Sequence, residues 1–287
     1  MSVGDKVMGK VLPGDFSFQK VMPDDLTEGF QNLGLEEGDQ VVLHASLKSI
    51  GDVDGGAAMV LHRLLKVLGK TGTLVMPTFT SVARHSSLHD NYTKRGCWCE
   101  GNESRHVPFI PELQPDKNLG EIAHRLCSWP SSMRSRHPAY SFVAVGKETD
   151  HLTHNSPLQD PLQPLKTFLK RDPKIVTLGV NLESVTAVYL AEQRYLPAKF
   201  PTERALTVSS KGQSWVEVVA LGCSGGFEKL AAHLVGGEFG ETQIGSANSR
   251  AYDMKMLVKK AEELLGNDPL SLTCGRPHCL SCGAAGR

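Results

Sequence analysis

At 287 residues, with 31 basic and 31 acidic side chains, the chain is electrically balanced and long enough for one large α/β domain or two modest ones. A formal net charge of zero, with no long basic run, leaves no electrostatic footprint for nucleic acid. No segment reaches the length of a membrane span, the N-terminal stretch MSVGDKVMGKVLPGDFSFQK lacks the apolar run of a signal peptide, and the seven cysteines are odd in number. A soluble, cytoplasmic protein whose cysteines are thiols or metal ligands, rather than a disulfide framework, is the expectation.

Residues 1–22 read as an irregular entry segment, and Pro23-Asp24-Asp25 opens a helix that runs to about Leu33 and ends at Gly34. A short apolar strand, Gln40–Leu43, leads into HASLKSIGDVDGG, His44 to Gly56, which holds three glycines and two serines. An amphipathic helix over Ala57–Leu68 and a second strand over Thr73–Met76 complete a βαβ unit, which implies a partly parallel sheet. After Pro77–Thr80, residues 81–118 form a long irregular stretch with His85, His89, His106, Cys97 and Cys99 scattered through it. A connection of that length reads as a binding loop or lid. Leu119–Cys127 reads as a helix, Arg134–Pro138 as a basic turn, and Ser141–Val145 as a strand. Short helices near Thr149–Leu152 and Leu165–Lys170 flank the proline-rich link Ser156–Pro164.

Lys174–Tyr195, KIVTLGVNLESVTAVYLAEQRY, reads as a buried strand to Val180, a polar turn over Asn181–Ser184, and a helix over Val185–Tyr195 capped by Ser184. Helical periodicity puts Tyr189 and Glu192 on one face, where strand end meets helix start. Either they form a site or they are a core aromatic and its solvated neighbour. Ala205–Leu221 reads as a β-hairpin about Lys211-Gly212. Cys223–Leu234 reads as a helix, Glu241–Ile244 as a strand and Tyr252–Leu265 as an amphipathic helix. The fold expected is a single α/β domain over 23–266. A central mixed, partly parallel sheet is flanked by helices and carries a small β-rich C-terminal excursion; a Cys-rich tail, 267–287, follows.

Three constellations carry chemistry. The loop His44–Gly56 contains neither GxxxxGK[ST] nor GxGxxG, yet it places Ser46, Ser49 and backbone amides before a helix start, where an anion is favoured; a tight βα connection is the alternative. Arg134, Arg136 and His137 form either an anion-recognising turn or a solvated one. The tail motif CGRPHCLSC spaces Cys274, Cys279 and Cys282 as thiolate ligands for a structural zinc, with Cys97, Cys99 or His278 as the fourth; a mobile tail with free thiols is the alternative.

Four ordered motifs together resemble the aminoglycoside 3-N-acetyltransferase family, whose antibiotic N-acetyltransferase fold is distinct from GNAT. They are VVLHASLKSIGDVDGG, GTLVMPTFT, RSRHPAYSFVAVG and LGVNLESVTAVYLAE, and the similarity covers roughly residues 24–260. The resemblance implies acyl transfer from acetyl-coenzyme A to a small-molecule amine, with His44, Ser46, Leu47, Ser49, Gly51, Thr78 and Thr80 on the coenzyme side. The family's catalytic histidine, in its HLAE motif, is replaced here by Tyr189, while the following glutamate is matched by Glu192. An ordinary phenol, with a pKa of about 10, is almost wholly protonated at neutral pH and makes a poor resting base. Three readings stay open: another base (Glu192, then His137), an acceptor amine that needs little activation, or a homologue that binds coenzyme A or a metabolite without transferring acetyl. Nothing in the sequence speaks for or against an oligomer.

Overall fold

The structure, a computed structural model, describes residues 20–85, 106–236 and 239–285. Its centre is three short strands, each built on a run of apolar residues: β1 (Gln40–Ala45), β2 (Thr73–Pro77) and β6 (Lys174–Leu178). β1 lies between β2 and β6 and is parallel to both. Parallel strands are covered on both faces, which is why these read as continuous apolar runs rather than alternating ones. β4 (Met133–Arg134) and β5 (Phe142–Gly146) extend one side of the sheet; β9 (Phe239–Ile244) and β10 (Ala247–Asp253) extend the other. The order is β4-β5-β2-β1-β6-β10-β9, with β5 antiparallel to β2 and β10 antiparallel to β6.

Alternation along the strands feeds two cores. Val41, Leu43, Leu74, Met76 and Leu178 pack against the helices Pro23–Asn32, Gly56–Leu68 and Gly120–Cys127. Val42, Val75 and Ile175 pack on the opposite face, against Gln163–Phe168, Val188–Tyr195 and Met254–Asn267. The helix Gly56–Leu68 shows the cause: Ala57, Val60, Leu61, Leu64 and Leu68 are its buried residues, at helical spacing. Each large side chain among them contributes about 1.5–3 kcal/mol by leaving water.

β3 (Arg84–His85), β7 (Thr202–Ser209) and β8 (Gly212–Val219) form a separate three-stranded sheet. This is the expected β-rich excursion, a hairpin closed by the pairing Ser209↔Gly212, with Gly212 at φ 101°.

Four expectations need correction. The helix expected from Val185 begins at Val188, and no side chain caps it; Leu182–Ser184 is a 3-10 turn instead, so Ser184 is not its cap. Cys223–Leu234 is not an α-helix. Only Phe227–His233 is helical, as a 3-10 turn, because at Gly226 the chain lies so close to the tail that a Cβ would fall 2.3 Å from the Leu272 carbonyl oxygen. β10 was not foreseen: its small and polar residues become a strand by pairing with β6 and β9 on either side. The tail ends in a helix, Leu280–Ala285. Cys97, Cys99 and His89 lie outside the described residues. Among the described residues no helix is long and apolar enough to cross a membrane.

Candidate active site

The carboxyl ends of β1 and β6 lie side by side, the place where open α/β sheets commonly take ligands. β1 stops at Ala45, and Ser46 caps the one-turn helix Leu47–Ile50: its Oγ accepts from the Ser49 amide at 3.2 Å and from the Ser49 hydroxyl at 2.9 Å. The Ser46 amide donates to the Leu178 carbonyl at 2.9 Å, which ties the loop to β6. Gly179 makes that contact sterically feasible: it sits at φ 63°, and a Cβ there would fall 2.3 Å from Ser49 Cβ. Two clefts open around this junction. One, of ≈ 470 Å³, is lined by Ser46, Leu47, Lys48, Gly51 and Glu121; the other, of ≈ 610 Å³, by Ser49, Thr177, Asn181, Ser184 and Arg250. Val180, two residues past the end of β6, lines both and is a wall they share.

The helix Val188–Tyr195, which follows β6 in the chain, buries both residues singled out on it, and neither lines either cleft. The Tyr189 hydroxyl donates to the Gly222 carbonyl at 2.5 Å, and its ring meets Phe227 edge-on with centroids 4.8 Å apart. Burial, then the neighbouring Glu192 charge, raises its pKa well above 10. Glu192 is a fully buried acid, not a solvated neighbour, and one of its oxygens is paired with the ammonium of Lys199, itself fully buried. Burial lifts the Glu192 carboxyl to about 7 in spite of that cation. Its Oε2 has no hydrogen-bond partner among the described residues. Lys199 Nζ also donates to the Cys223 carbonyl at 3.2 Å. Tyr189 and Lys199 thus hang on two consecutive carbonyls, Gly222 and Cys223. Sequence reading missed Lys199, Gly222 and Cys223, since no local pattern links them to the helix.

Comparison with known proteins decides the family. A family model described as aminoglycoside 3-N-acetyltransferase matches residues 42–266, which contain both clefts and the Tyr189–Glu192–Lys199 cluster. The chain belongs to the aminoglycoside 3-N-acetyltransferase family. It is 30% identical over 254 residues to the SPbeta prophage-derived aminoglycoside N(3')-acetyltransferase-like protein YokD of Bacillus subtilis, an alignment covering 85% of this chain and 92% of that one. Aminoglycoside N(3)-acetyltransferase III of Salmonella sp is 35% identical over 187 residues, 63% of each chain. The crystal structure of YokD superposes with a TM-score of 0.75 at 28% identity, covering 86% of this chain and 94% of that one. A mutant of aminoglycoside acetyltransferase AAC(3)-IVa in complex with a gentamicin gives 0.78, covering 94% and 98%, and at 23% identity it attests the fold alone. Membership makes this chain an N-acetyltransferase.

The family's other expected positions divide in two. Ser46, Leu47 and Gly51 line the smaller cleft and Ser49 the larger. Thr78, Thr80 and His137 are instead engaged inside the protein. Thr78 Oγ1 donates to the Ser141 carbonyl at 3.1 Å, and Thr80 Oγ1 to that of Pro138 at 2.7 Å. The Arg134 guanidinium is wrapped by protein: Nε donates to Thr78 Oγ1 at 3.1 Å and to Ser141 Oγ at 2.9 Å, while the other nitrogens bond the Leu113 and Thr78 carbonyls. It clamps the turn rather than waiting for an anion.

His137 Nδ1 accepts from the Tyr140 amide at 3.0 Å, so Nε2 carries the proton and faces the Leu158 carbonyl at 3.3 Å. With both nitrogens engaged and burial lowering its pKa to about 4, it has no free lone pair for a substrate. His44, on β1 beside Thr177, is buried as well, with its pKa lowered to about 4 and Nε2 unpartnered among the described residues.

The tail thiols Cys274, Cys279 and Cys282 do come together, and the fourth sulfur beside them is that of Cys223. His278 is exposed and stands outside the group.

Proposed function

We propose that the protein transfers an acetyl group from acetyl-coenzyme A to an amine of an aminoglycoside or related amino sugar, in the cytoplasm. The observation that carries this reading is the split cleft at the carboxyl ends of β1 and β6, floored by the serine-capped loop Ser46–Gly51. Coenzyme A fits the smaller cleft in chemistry: small side chains and backbone admit a thin pantetheine arm, and Lys48 supplies a cation for phosphate. Bound there, it would supply an acetyl group activated as a thioester. Ser46, Leu47 and Gly51 orient it, and Ser49 holds Ser46 from the side of the larger cleft. The larger cleft, with Asn181, Ser184, Glu228 and Arg250 on its walls, offers donors and acceptors to a hydroxyl- and amine-rich acceptor.

The acceptor nitrogen must lose a proton during transfer. Tyr189 is protonated and already donating to Gly222, so it orients rather than abstracts. His137 is withdrawn for the reason given above. Glu192, raised to about 7 by burial and with Oε2 unpartnered among the described residues, is the remaining acceptor; it lines neither cleft, so the proton would reach it only through an intervening water or side chain.

Calorimetry with acetyl-coenzyme A, combined with thiol release over a panel of aminoglycosides and simple amino sugars, tests this. Binding with amine-dependent thiol release is expected. Binding with no turnover on any amine would leave a coenzyme-binding homologue, and no binding would overturn both.

A further inference from the structure

The family match ends at residue 266, and beyond it the tail returns to the body of the enzyme and brings three sulfurs to a fourth. We propose that Cys223, Cys274, Cys279 and Cys282 bind one zinc ion, which locks the tail onto the segment that holds Tyr189 and Lys199.

Geometry supports the ligand set. The four Sγ atoms all lie within 4.8 Å of one another, and a tetrahedral zinc–thiolate site, with bonds of about 2.3 Å, needs sulfurs roughly 4 Å apart. Cys279 and Cys282 are buried and the other two half-buried, so the site is closed in the manner of a structural one. Backbone amides already point at the sulfurs: Gly225 N–H at Cys223 Sγ (3.4 Å), Cys274 N–H at Cys282 Sγ (3.4 Å) and Cys282 N–H at Cys279 Sγ (3.5 Å). Such donors stabilise thiolate and orient ligands. At Gly225 a Cβ would lie 3.2 Å from Cys274 Cβ, so the two ligand-bearing segments pack closely against each other. The Cys223 amide donates to Ser281 Oγ at 2.9 Å, which adds a polar tie across the same junction.

Four soft thiolates in one tetrahedral cluster select zinc over the hard cations. On binding, the thiols release their protons to solvent and four Zn–S bonds form; nothing is oxidised or reduced. The consequence reaches the buried Tyr189–Glu192–Lys199 cluster by one short route. Cys223 is both a ligand and the residue whose carbonyl receives Lys199, and Gly222 before it receives Tyr189. The ion therefore fixes the two acceptors that position the Tyr189–Glu192–Lys199 cluster.

The test is independent of acetyl transfer. Full-length protein, purified without a metal-affinity tag, should contain about one zinc per chain by plasma mass spectrometry. Growth in cobalt should give the intense visible bands of a tetrahedral thiolate site. Cys223→Ser should lower zinc content at least fivefold and Cys127→Ser should not. In Cys223→Ser, hydrogen exchange should rise together over 222–226 and 273–283, while 40–77 stays as in the wild type. Should Cys223→Ser fail to fold, the wild-type zinc content and cobalt spectrum decide alone. Less than about a tenth of a zinc per chain, bound iron in its place, or a disulfide among the four cysteines would overturn the proposal.

Discussion

The two sides of the site are built in opposite ways. The loop Ser46–Gly51 is open, held by hydroxyl and amide hydrogen bonds, and made by adjacent residues. The cluster behind it is closed. A buried acid, a buried cation and a phenol are assembled from residues as far apart as Tyr189 and Gly222, on carbonyls braced by the tail. An open wall suits a co-substrate that must enter and leave. A closed one suits groups whose pKa values must be displaced and kept so. The exchange of ligand and the tuning of charge are thus assigned here to separate pieces of chain.

The largest expected effect comes from breaking the closed side. Lys199→Met strands the Glu192 carboxylate in the core and should cost about 3–5 kcal/mol, read by urea unfolding at pH 8. Adding Glu192→Gln removes the stranded charge and should recover much of it. A loss below about 0.5 kcal/mol would mean the pair is solvated in solution.

Acidity separates the sides next. His44 and His137 titrate at about 4 rather than 6.5, so the unfolded chain binds protons that the native protein refuses. Their contribution is complete above pH 6.5 and disappears as pH falls to about 4. Glu192 has the opposite sign. Raised from 4.5 to about 7, it contributes below pH 4.5 and loses that contribution as pH rises to about 7. Each group is worth about 3 kcal/mol, so two histidines against one acid leave the wild type weaker on acidification. The double variant His44→Gln, His137→Gln should reverse that slope between pH 7 and 5. Glu192→Gln should steepen it. Equal slopes in all three proteins would show that none of these groups is buried as described.

The open side is sharpened by Gly179→Ala. The added Cβ meets Ser49, and the positive φ disfavours any side chain, so the loop must move. A cost of about 1–3 kcal/mol and at least a tenfold weaker acetyl-coenzyme A affinity are expected by thermal unfolding and calorimetry.

The same division governs what could be read from the sequence. β1, β2, β6 and the loop His44–Gly56 are legible because apolar runs, glycines and serines act over a few residues. The face shared by Tyr189 and Glu192 followed from helical spacing even though the helix starts three residues later than the pattern implied. Lys199 gave no signal: it is one of 31 basic side chains, and its burial depends on an acid seven positions back that looks as easily solvated as the rest. Cys223 was illegible as a ligand because ligand spacing is a local rule and its partners lie some fifty residues on. β10 failed for a related reason, since small polar residues become a strand only between two neighbours.

The smallest structural change bears most directly on chemistry. Tyr189→Phe removes one donor from the Gly222 carbonyl and should cost only about 1 kcal/mol. Tyr189→His replaces a group held protonated with one that titrates near neutrality. If the resemblance at that position is an alignment of function, this variant should transfer acetyl to aminoglycosides about tenfold faster at pH 7 or more, with a new limb in the pH profile near the imidazole pKa. A faster rate without the limb would assign the gain to space rather than to proton transfer. An unchanged rate would show that the proton does not leave through position 189, with Tyr189 serving only to align the carbonyl behind it.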